Sequence, residues 1–298
     1  MISYFAKRRL KQHDRNNNRK LKSMVHSALL QQQALSSTRV GVGNDARHEI
    51  VVSLTSYAPR MRDLYLVIES LLQQSLPPDR IVLWLSPGDI PAGGIPALLQ
   101  RQQARGLEIE IRDENIGAYQ KIIHALESCP RSLIVTVDDD MLYPPDMVEE
   151  LYQAWLARPD CIHAHRAHTM ALDRQGRPTP YQSWQTNPAG GAPSALVFPT
   201  GVCGVLYFPG ALAAEVLNRD QFMRLSPGAD DIWLKAMSLK NGVLCARLDD
   251  PRDWKERFLT IEGSQAGSLK HGNWQRDSGN DSKLQAVFTE YDLYGKLK

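Results

Sequence analysis

Three adjacent aspartates, Asp138, Asp139 and Asp140, follow the apolar run LIVTV at residues 133–137. Two carboxylates about 4 Å apart repel by roughly 4 kcal/mol at an effective dielectric near 20. A cation, a raised pKa or full solvent exposure must offset that repulsion. In an extended chain Asp138 and Asp140 point one way and Asp139 the other. Such spacing pairs two hard oxygen ligands, which suits Mg²⁺ or Mn²⁺ held jointly by protein and phosphate. The alternative is an acidic turn capping the next helix, with Asp146 near its start. A second acidic pair, Asp230 and Asp231 in ADDIW, stands where a helix is expected to begin; it either caps that helix or takes part in proton transfer. His163, His165 and His168 cluster, but His163 and His165 would share one side of a strand and no further ligand spacing supports zinc. The four cysteines, Cys129, Cys161, Cys203 and Cys245, form no CxxC pair, so reduced thiols and a cytoplasmic setting are expected.

The elements that position these residues follow from apolar patterning. Residues 48–54, 80–85, 107–112, 133–137 and 161–165 read as strands, and 61–74, 96–105, 116–126 and 145–157 read as helices. Strands alternating with helices imply βαβ units, a parallel sheet and right-handed crossovers. Ligands in such sheets bind at the carboxyl ends of the strands, so the loops after the first four strands are the informative ones. Beyond Arg166 the pattern breaks. Residues 173–200 read as a long loop or covering hairpin, 201–209 as a glycine-marked strand, and 211–217, 230–239 and 282–294 as helices, with 249–280 polar and irregular.

The 298 residues carry 35 Lys+Arg against 33 Asp+Glu, a formal net charge of +2. The charge is partitioned. Residues 1–47 hold ten basic residues and two acids, +8, which leaves 25 basic and 31 acidic residues, −6, for 48–298. This segment reads as a basic appendage suited to an anionic membrane surface; no aromatic-basic interleaving points to nucleic acid. No apolar run is long enough to span a membrane, and no signal-peptide core is expected at the N-terminus.

The strand ending in DDD after three βα units resembles the nucleotide-sugar glycosyltransferases of the GT-A fold. The nearest likeness is to bacterial family-2-like transferases that build surface polysaccharide, over roughly residues 48–245. The resemblance implies an α/β domain at 48–298 with a Rossmann-like, mostly parallel central sheet flanked by helices. Residues 48–165 would form the nucleotide-sugar-binding half and 166–298 a mixed acceptor-side half. It implies a metal-dependent transfer from a nucleotide-diphosphate donor to a hydroxyl of a glycan or lipid-linked acceptor. Asp140, helped by Asp138, would hold Mn²⁺ or Mg²⁺, and His271 in KHGNW would complete the metal shell. Thr55, Ser56, Tyr57 and Arg60 after the first strand, and Asn115, Tyr119 and Lys121 after the third, would bind the nucleotide sugar with Asp138 and Asp139. Tyr119 would stack on the base. Gly201, Gly204 and Trp233 would lie on the acceptor side. Asp231, beside Asp230, would be the base of an inverting reaction; in a retaining enzyme the same acids would orient substrate.

Two other readings stand beside this one. An aspartyl-nucleophile phosphohydrolase would use Asp138 as nucleophile and Asp140 as acid/base. A non-catalytic module would bind glycan without turning it over. The expected location is cytoplasmic, with peripheral attachment to the inner face of the membrane.

Overall fold

The structure is a computed structural model that describes residues 4–264 and 279–297. Its strands are β1 (Ile50–Thr55), β2 (Arg80–Leu85), β3 (Leu107–Ile111), β4 (Leu133–Thr136), β5 (Met141–Leu142), β6 (Cys161–Ala164), β7 (Ala167–Thr169), β8 (Gln185–Thr186), β9 (Val197–Pro199), β10 (Val205–Tyr207), β11 (Leu244–Arg247) and β12 (Leu259–Thr260). Its α-helices are α1 (Tyr4–Ser36), α2 (Leu64–Leu71), α3 (Ala97–Gln103), α4 (Gln120–Ser128), α5 (Met147–Ala157), α6 (Arg219–Leu225), α7 (Asp230–Lys240), α8 (Trp254–Arg257) and α9 (Asn280–Glu290).

Seven strands form the central sheet in the order β11-β6-β10-β4-β1-β2-β3. All neighbouring pairs are parallel except those of β10, which runs antiparallel between β4 and β6. The expected α/β architecture, a mostly parallel sheet flanked by helices, is the one found. Strand residues alternate between two cores, as the period of two requires. Val51, Val82 and Ile134 face a core with Ile122, Ile123, Trp233 and Phe288 from α4, α7 and α9. Ile50, Val52, Ile81 and Val135 face the other, with Leu64, Ile68, Leu99 and Leu151 from α2, α3 and α5. Burial on both faces explains why β1, β2 and β4 are almost continuously apolar.

Three details depart from the sequence reading. The strand expected from residue 201 starts only at Val205, because Gly201–Cys203 form a 3₁₀ turn. Residues 173–200 contribute β8 and β9, which pair on either side of β7 in a small three-stranded sheet. The edge strand β11, unforeseen in sequence, pairs parallel with β6.

The basic N-terminal segment, expected as an appendage, is a helix that docks on the domain along part of its length. Arg19 pairs with Asp253 and Glu256, each at 2.7 Å, and Ser23 Oγ donates to the Thr260 carbonyl at 2.7 Å. Leu30 and Ala34 are buried. The following chain runs along α2 and α3. Gly41 lies so close to Leu72 that a Cβ would come within 2.3 Å of its carbonyl oxygen, and the Gly41 amide donates to the Arg105 carbonyl at 3.0 Å. Leu10, Leu21, Met24, Val25, Leu29 and Leu35 of α1 remain exposed. No described helix is long and apolar enough to cross a membrane.

Beneath this segment lies a buried ion pair. Both Glu69 carboxylate oxygens accept from the Arg105 guanidinium, at 2.6 and 2.9 Å, and Gln73 and Gln102 donate to the same group. Burial raises the Glu69 pKa, but these hydrogen bonds outweigh it and leave the pKa below its ordinary value. Glu69→Ala should therefore cost roughly 3–5 kcal/mol, since it strands Arg105. Denaturant unfolding at pH 7 measures that loss. A lowered folded pKa makes this group's contribution fully present above the ordinary value of 4.5 and lost as pH falls through the folded value, so the gap between wild type and variant should narrow in acid.

Candidate functional site

The acidic triplet follows β4, where the strand ends at Thr136 and the chain turns at Asp139 and Asp140. The turn overrides the alternation expected of an extended chain. Asp139 and Asp140, not Asp138 and Asp140, share a partner. Arg60, from the loop after β1, ion-pairs with Asp139 and approaches Asp140 at 3.2 Å. Ser56 Oγ also donates to Asp139, at 2.6 Å. Burial raises the Asp139 pKa, opposed by Arg60 and Ser56. Burial likewise works against the Arg60 charge, yet Asp139 and Asp140 hold its pKa above the ordinary value.

Asp138 turns to a different cation. Lys121 Nζ lies 2.7 Å from Asp138 Oδ1 and 3.1 Å from Asp230 Oδ2. Lys121 occupies the first turn of α4, where the helix dipole disfavours a positive charge, so local helix stability does not account for it. What places it is β1. Ser53, the one polar residue inside that strand, donates through Oγ to the Lys121 carbonyl and accepts from Trp84 Nε1 at 2.8 Å. Burial works against the ammonium, but Asp138, Asp230 and Asp231 hold its pKa well above the ordinary value.

The second acidic pair opens α7. Asp231 Oδ1 accepts from the Gly201 amide at 3.1 Å. Burial first, then the neighbouring Asp230 charge, push the Asp231 pKa up to about 8, against the pull of Lys121. Gly201 stands at the centre of the cluster. A Cβ there would lie 3.2 Å from Lys121 Nζ, 3.4 Å from Asp231 Oδ1 and 3.5 Å from Asp138 Oδ1. Five segments distant in sequence thus meet beyond the carboxyl end of β4 and bring together five acids and two cations: Arg60 with Asp139 and Asp140, and Lys121 with Asp138 and Asp230 beside Asp231 and Gly201.

The other expected residues divide. Thr55 Oγ1 donates to the Trp84 carbonyl at 2.8 Å and accepts from Gln120 at 3.0 Å. Tyr57 packs its ring 5.5 Å from the Arg60 guanidinium. Asn115 donates to Asp89 Oδ1 at 3.1 Å. Tyr119, expected to stack on a base, is instead fully buried. Its ring stacks on Phe222 with centroids 4.1 Å apart and its hydroxyl donates to the Ser226 carbonyl. Trp233, expected beside the acceptor, is also core, with Nε1 donating to the Val216 carbonyl. Both occupy inward positions where an aromatic serves packing. Gly204 adopts φ +98°, and a Cβ there would press on Met147 Sδ at 3.0 Å, so it shapes the turn into β10 and packs against α5. His271 lies outside the described residues.

Sequence reasoning missed two groups. Asp89, after β2, accepts from Ser86, Asn115 and Gln120, and joins the segments after β2 and β3, while Gln120 carries the link on to Thr55 of β1. Its segment carries only turn residues, so no motif marks it. Arg166, after β6, donates to Thr200 Oγ1 at 2.7 Å, one residue before Gly201.

The triplet offers hard carboxylates, the chemistry of a Mg²⁺ or Mn²⁺ site that phosphates complete, but it does not gather a cage of protein ligands. Among the described residues, Glu150, His165 and Asp250 do bring ligand atoms within 4.8 Å of one another. There, however, Arg257 bonds both carboxylates and Arg252 reinforces them, so arginines already supply the positive charge. His163, His165 and His168 bond the Arg158 carbonyl, the Met147 carbonyl and the Asn187 amide respectively, and form no joint ligand set. Burial lowers His165 and His168 to about 4.

No protein-family model matches the chain, and no curated protein matches it in sequence. Solved structures do. Staphylococcus aureus TarS 1–349 in complex with UDP aligns at 13% identity and TM-score 0.45, over 68% of this chain and 58% of that one. The mannosyltransferase PcManGT from Pyrobaculum calidifontis, in complex with GDP-Man and Mn²⁺, aligns at 15% identity and TM-score 0.43, over 90% and 71%. CMP:2-keto-3-deoxy-manno-octonic acid synthetase complexed with CTP aligns at 11% identity and TM-score 0.40, over 67% and 88%. The chain thus spans little more than half of the TarS fragment. These likenesses are distant ones of overall architecture and assign no residue here.

The raised Asp231 pKa has a stability consequence. Between about pH 4 and 8 the folded chain keeps a proton that the unfolded chain releases, so this group's contribution to stability declines as pH rises across that window. Asp231→Asn removes the proton linkage while its side-chain oxygen still accepts from Gly201. Its melting temperature should exceed that of wild type at pH 8, and the difference should shrink towards pH 4; equal pH profiles for the two proteins would contradict the assignment.

Proposed function

We propose that the chain is a nucleotide-sugar-dependent glycosyltransferase acting on a hydroxyl acceptor. The observation that carries this reading is the convergence of Asp138, Lys121, Asp230 and Asp231 around Gly201, with Arg60 across Asp139 and Asp140. The site sits where strands of a parallel sheet present their carboxyl ends. Its lysine and arginine suit an anionic leaving group, and its partly protonated carboxylate suits proton transfer.

In the proposed reaction the nucleoside lies over the loops after β1, β2 and β3, where Thr55, Asp89, Asn115 and Gln120 offer polar atoms. Gln120 Oε1 is buried without a partner among the described residues and is free to accept from it. The diphosphate lies towards Arg60, Lys121 and the triplet. Asp140 and Asp138 would hold Mg²⁺ or Mn²⁺ with the diphosphate; when bound, the ion supplies Lewis-acid stabilisation of the charge that develops on the leaving group. Asp231 takes the acceptor proton. A base near pH 8 is well matched to that task around neutrality. The acceptor oxygen attacks the anomeric carbon as its bond to the diphosphate breaks, the outcome of which is inversion. Gly201 keeps the space between acid and ammonium clear for the reacting groups.

The surface-polysaccharide role and attachment to the inner face of the membrane belong to the same proposal. They rest on the basic residues of α1 and on its exposed apolar stripe Leu21, Met24, Val25 and Leu29, a combination suited to anionic lipid.

The test is a thermal-shift screen of nucleotide sugars with and without Mn²⁺, followed by turnover assays. A donor at 100 times its Kd should stabilise the fold by about 2.7 kcal/mol. Asp140→Asn should lose at least tenfold in Mn²⁺-dependent donor affinity. Asp231→Asn should keep donor affinity and lose at least a hundredfold in transfer. Phosphate release from simple monoesters without nucleotide-sugar turnover, or glycan binding without any turnover, would overturn the proposal.

A further inference from the structure

Beside the acid cluster, a cavity of about 600 Å³ opens between the loop after β11 and the segment leading from β8, lined by Arg166, Asn187, Arg247, Trp254 and Lys255 among others. Among the described residues, two of its arginines have no carboxylate partner. Arg247 is 7% exposed; its Nε donates to Asn187 Oδ1 at 2.9 Å, and its other contact is a backbone carbonyl at 3.4 Å. Arg166 donates to Thr200, lies 3.5 Å from His168 Nε2 and packs 4.8 Å from the Trp254 ring, while its Nε is buried with no acceptor among the described residues. Acids also line the cavity, but most are engaged elsewhere: Asp250 by Arg252 and Arg257, and Asp253 by Arg19. Asp249 is exposed at the rim.

A guanidinium withdrawn from water costs several kcal/mol unless a counter-charge compensates it. Burial accordingly lowers the Arg247 pKa, which the nearby Asp250 and Asp249 offset only in part. Everywhere else in the described interior a buried arginine is matched: Arg105 with Glu69, Arg60 with Asp139, Arg257 with Asp146 and Asp250. The exception is a pair facing one cavity, with the exposed ammonium of Lys255 at its mouth. Planar guanidinium forks fit the two oxygens of a carboxylate or phosphate.

We infer that this cavity is a binding site for an anionic group, phosphate or carboxylate, gripped by Arg247 and Arg166. The site adjoins the chemistry through one short path. Arg166 bonds Thr200, and the next residue, Gly201, donates to Asp231. On the glycosyltransferase reading, on which this part rests, the anionic group belongs to the acceptor, and the cavity orients an acidic glycan or phosphorylated lipid carrier towards Asp231.

Titration of the full chain with inorganic phosphate, acetate or chloride at matched ionic strength, followed by thermal shift and calorimetry, tests the site without reference to turnover. Phosphate or acetate should stabilise wild type more than chloride does, and the stronger of the two identifies the group. Arg247→Gln should weaken that response at least tenfold, Arg247→Lys should restore part of it, and the exposed Lys255→Gln, which carries no folding risk, should weaken it about threefold. Arg60→Gln, in the donor region, should leave it intact. A response equal to that of chloride, or one abolished by Arg60→Gln and untouched by Arg247→Gln and Lys255→Gln, would overturn the inference. Anion binding at Arg247 in a protein that turns over no nucleotide sugar would uphold the site and refute the enzymatic reading separately.

Discussion

The ammonium of Lys121 is the contact on which the remainder of the site depends. It is buried, and it bridges Asp138 at the end of β4 and Asp230 at the start of α7. Without it, Asp138 would face Asp230 and Asp231 around Gly201 at low dielectric, and their repulsion would have to be met by protonation or by separation. Breaking one partner of a buried pair leaves the other uncompensated, a loss typically of 3–5 kcal/mol. The lysine therefore ties the first half of the chain to the second by charge. The two halves also meet through apolar packing, the ladders of β10, β11 and β12, and the ion pairs of Arg219 and Arg257.

Much of the fold is legible in the sequence because the first four strands are buried on both faces. β2 matches its apolar run residue for residue, and β1, β3 and β4 fall within two residues of theirs at each end. The acidic triplet is equally legible, since three acids after an apolar strand have few places to go. Its internal geometry is not. Whether Asp139 or Asp138 lies beside Asp140 depends on where the strand yields to a turn, and the residue types do not mark that boundary. Tyr119 and Trp233 show a second limit: an aromatic beside a motif looks like a ligand platform, but helical phase turns both inward. β11 shows a third. Its four residues, LCAR, carry too short a pattern to distinguish strand from loop, and only the open edge of β6 draws them into the sheet. Arg166 and Arg247 are isolated basic residues in sequence; their shared cavity exists only after folding.

The formal charge of +2 conceals a division of labour. The acidic body pairs its interior carboxylates with selected arginines and one lysine. The basic helix spends only part of its own charge on the body: Arg19 is firmly paired, Lys22 donates to the Glu256 carbonyl at 2.5 Å, and Lys20 lies 3.8 Å from Glu262. Most of its cations, Arg8, Arg9, Lys11 and Arg15 among them, remain exposed. The helix is thus held by its second half and presents a positive first half outward, where the field it creates falls off over about 8–10 Å at physiological salt.

The antiparallel strand β10 carries a consequence for the order of folding. Before residues 205–207 leave the ribosome, β4 has one unpaired edge and β6 has two, because β11 lies further along the chain still, and no nearer strand fills the gap between β4 and β6. Open edges of apolar strands are templates for pairing with other chains. A nascent chain that stops short of β10 therefore has its first parallel strands in place but exposes the edges of β4 and β6, and its lysine still lacks the second acid pair. Closing that gap requires contacts spanning some seventy residues, a separation that slows folding relative to the local βα units. Gly201 lies just before β10 in the chain, so closing the gap and carrying Gly201 to the aspartate triplet are coupled, while Asp231 and the β11 that covers the last edge of β6 follow later.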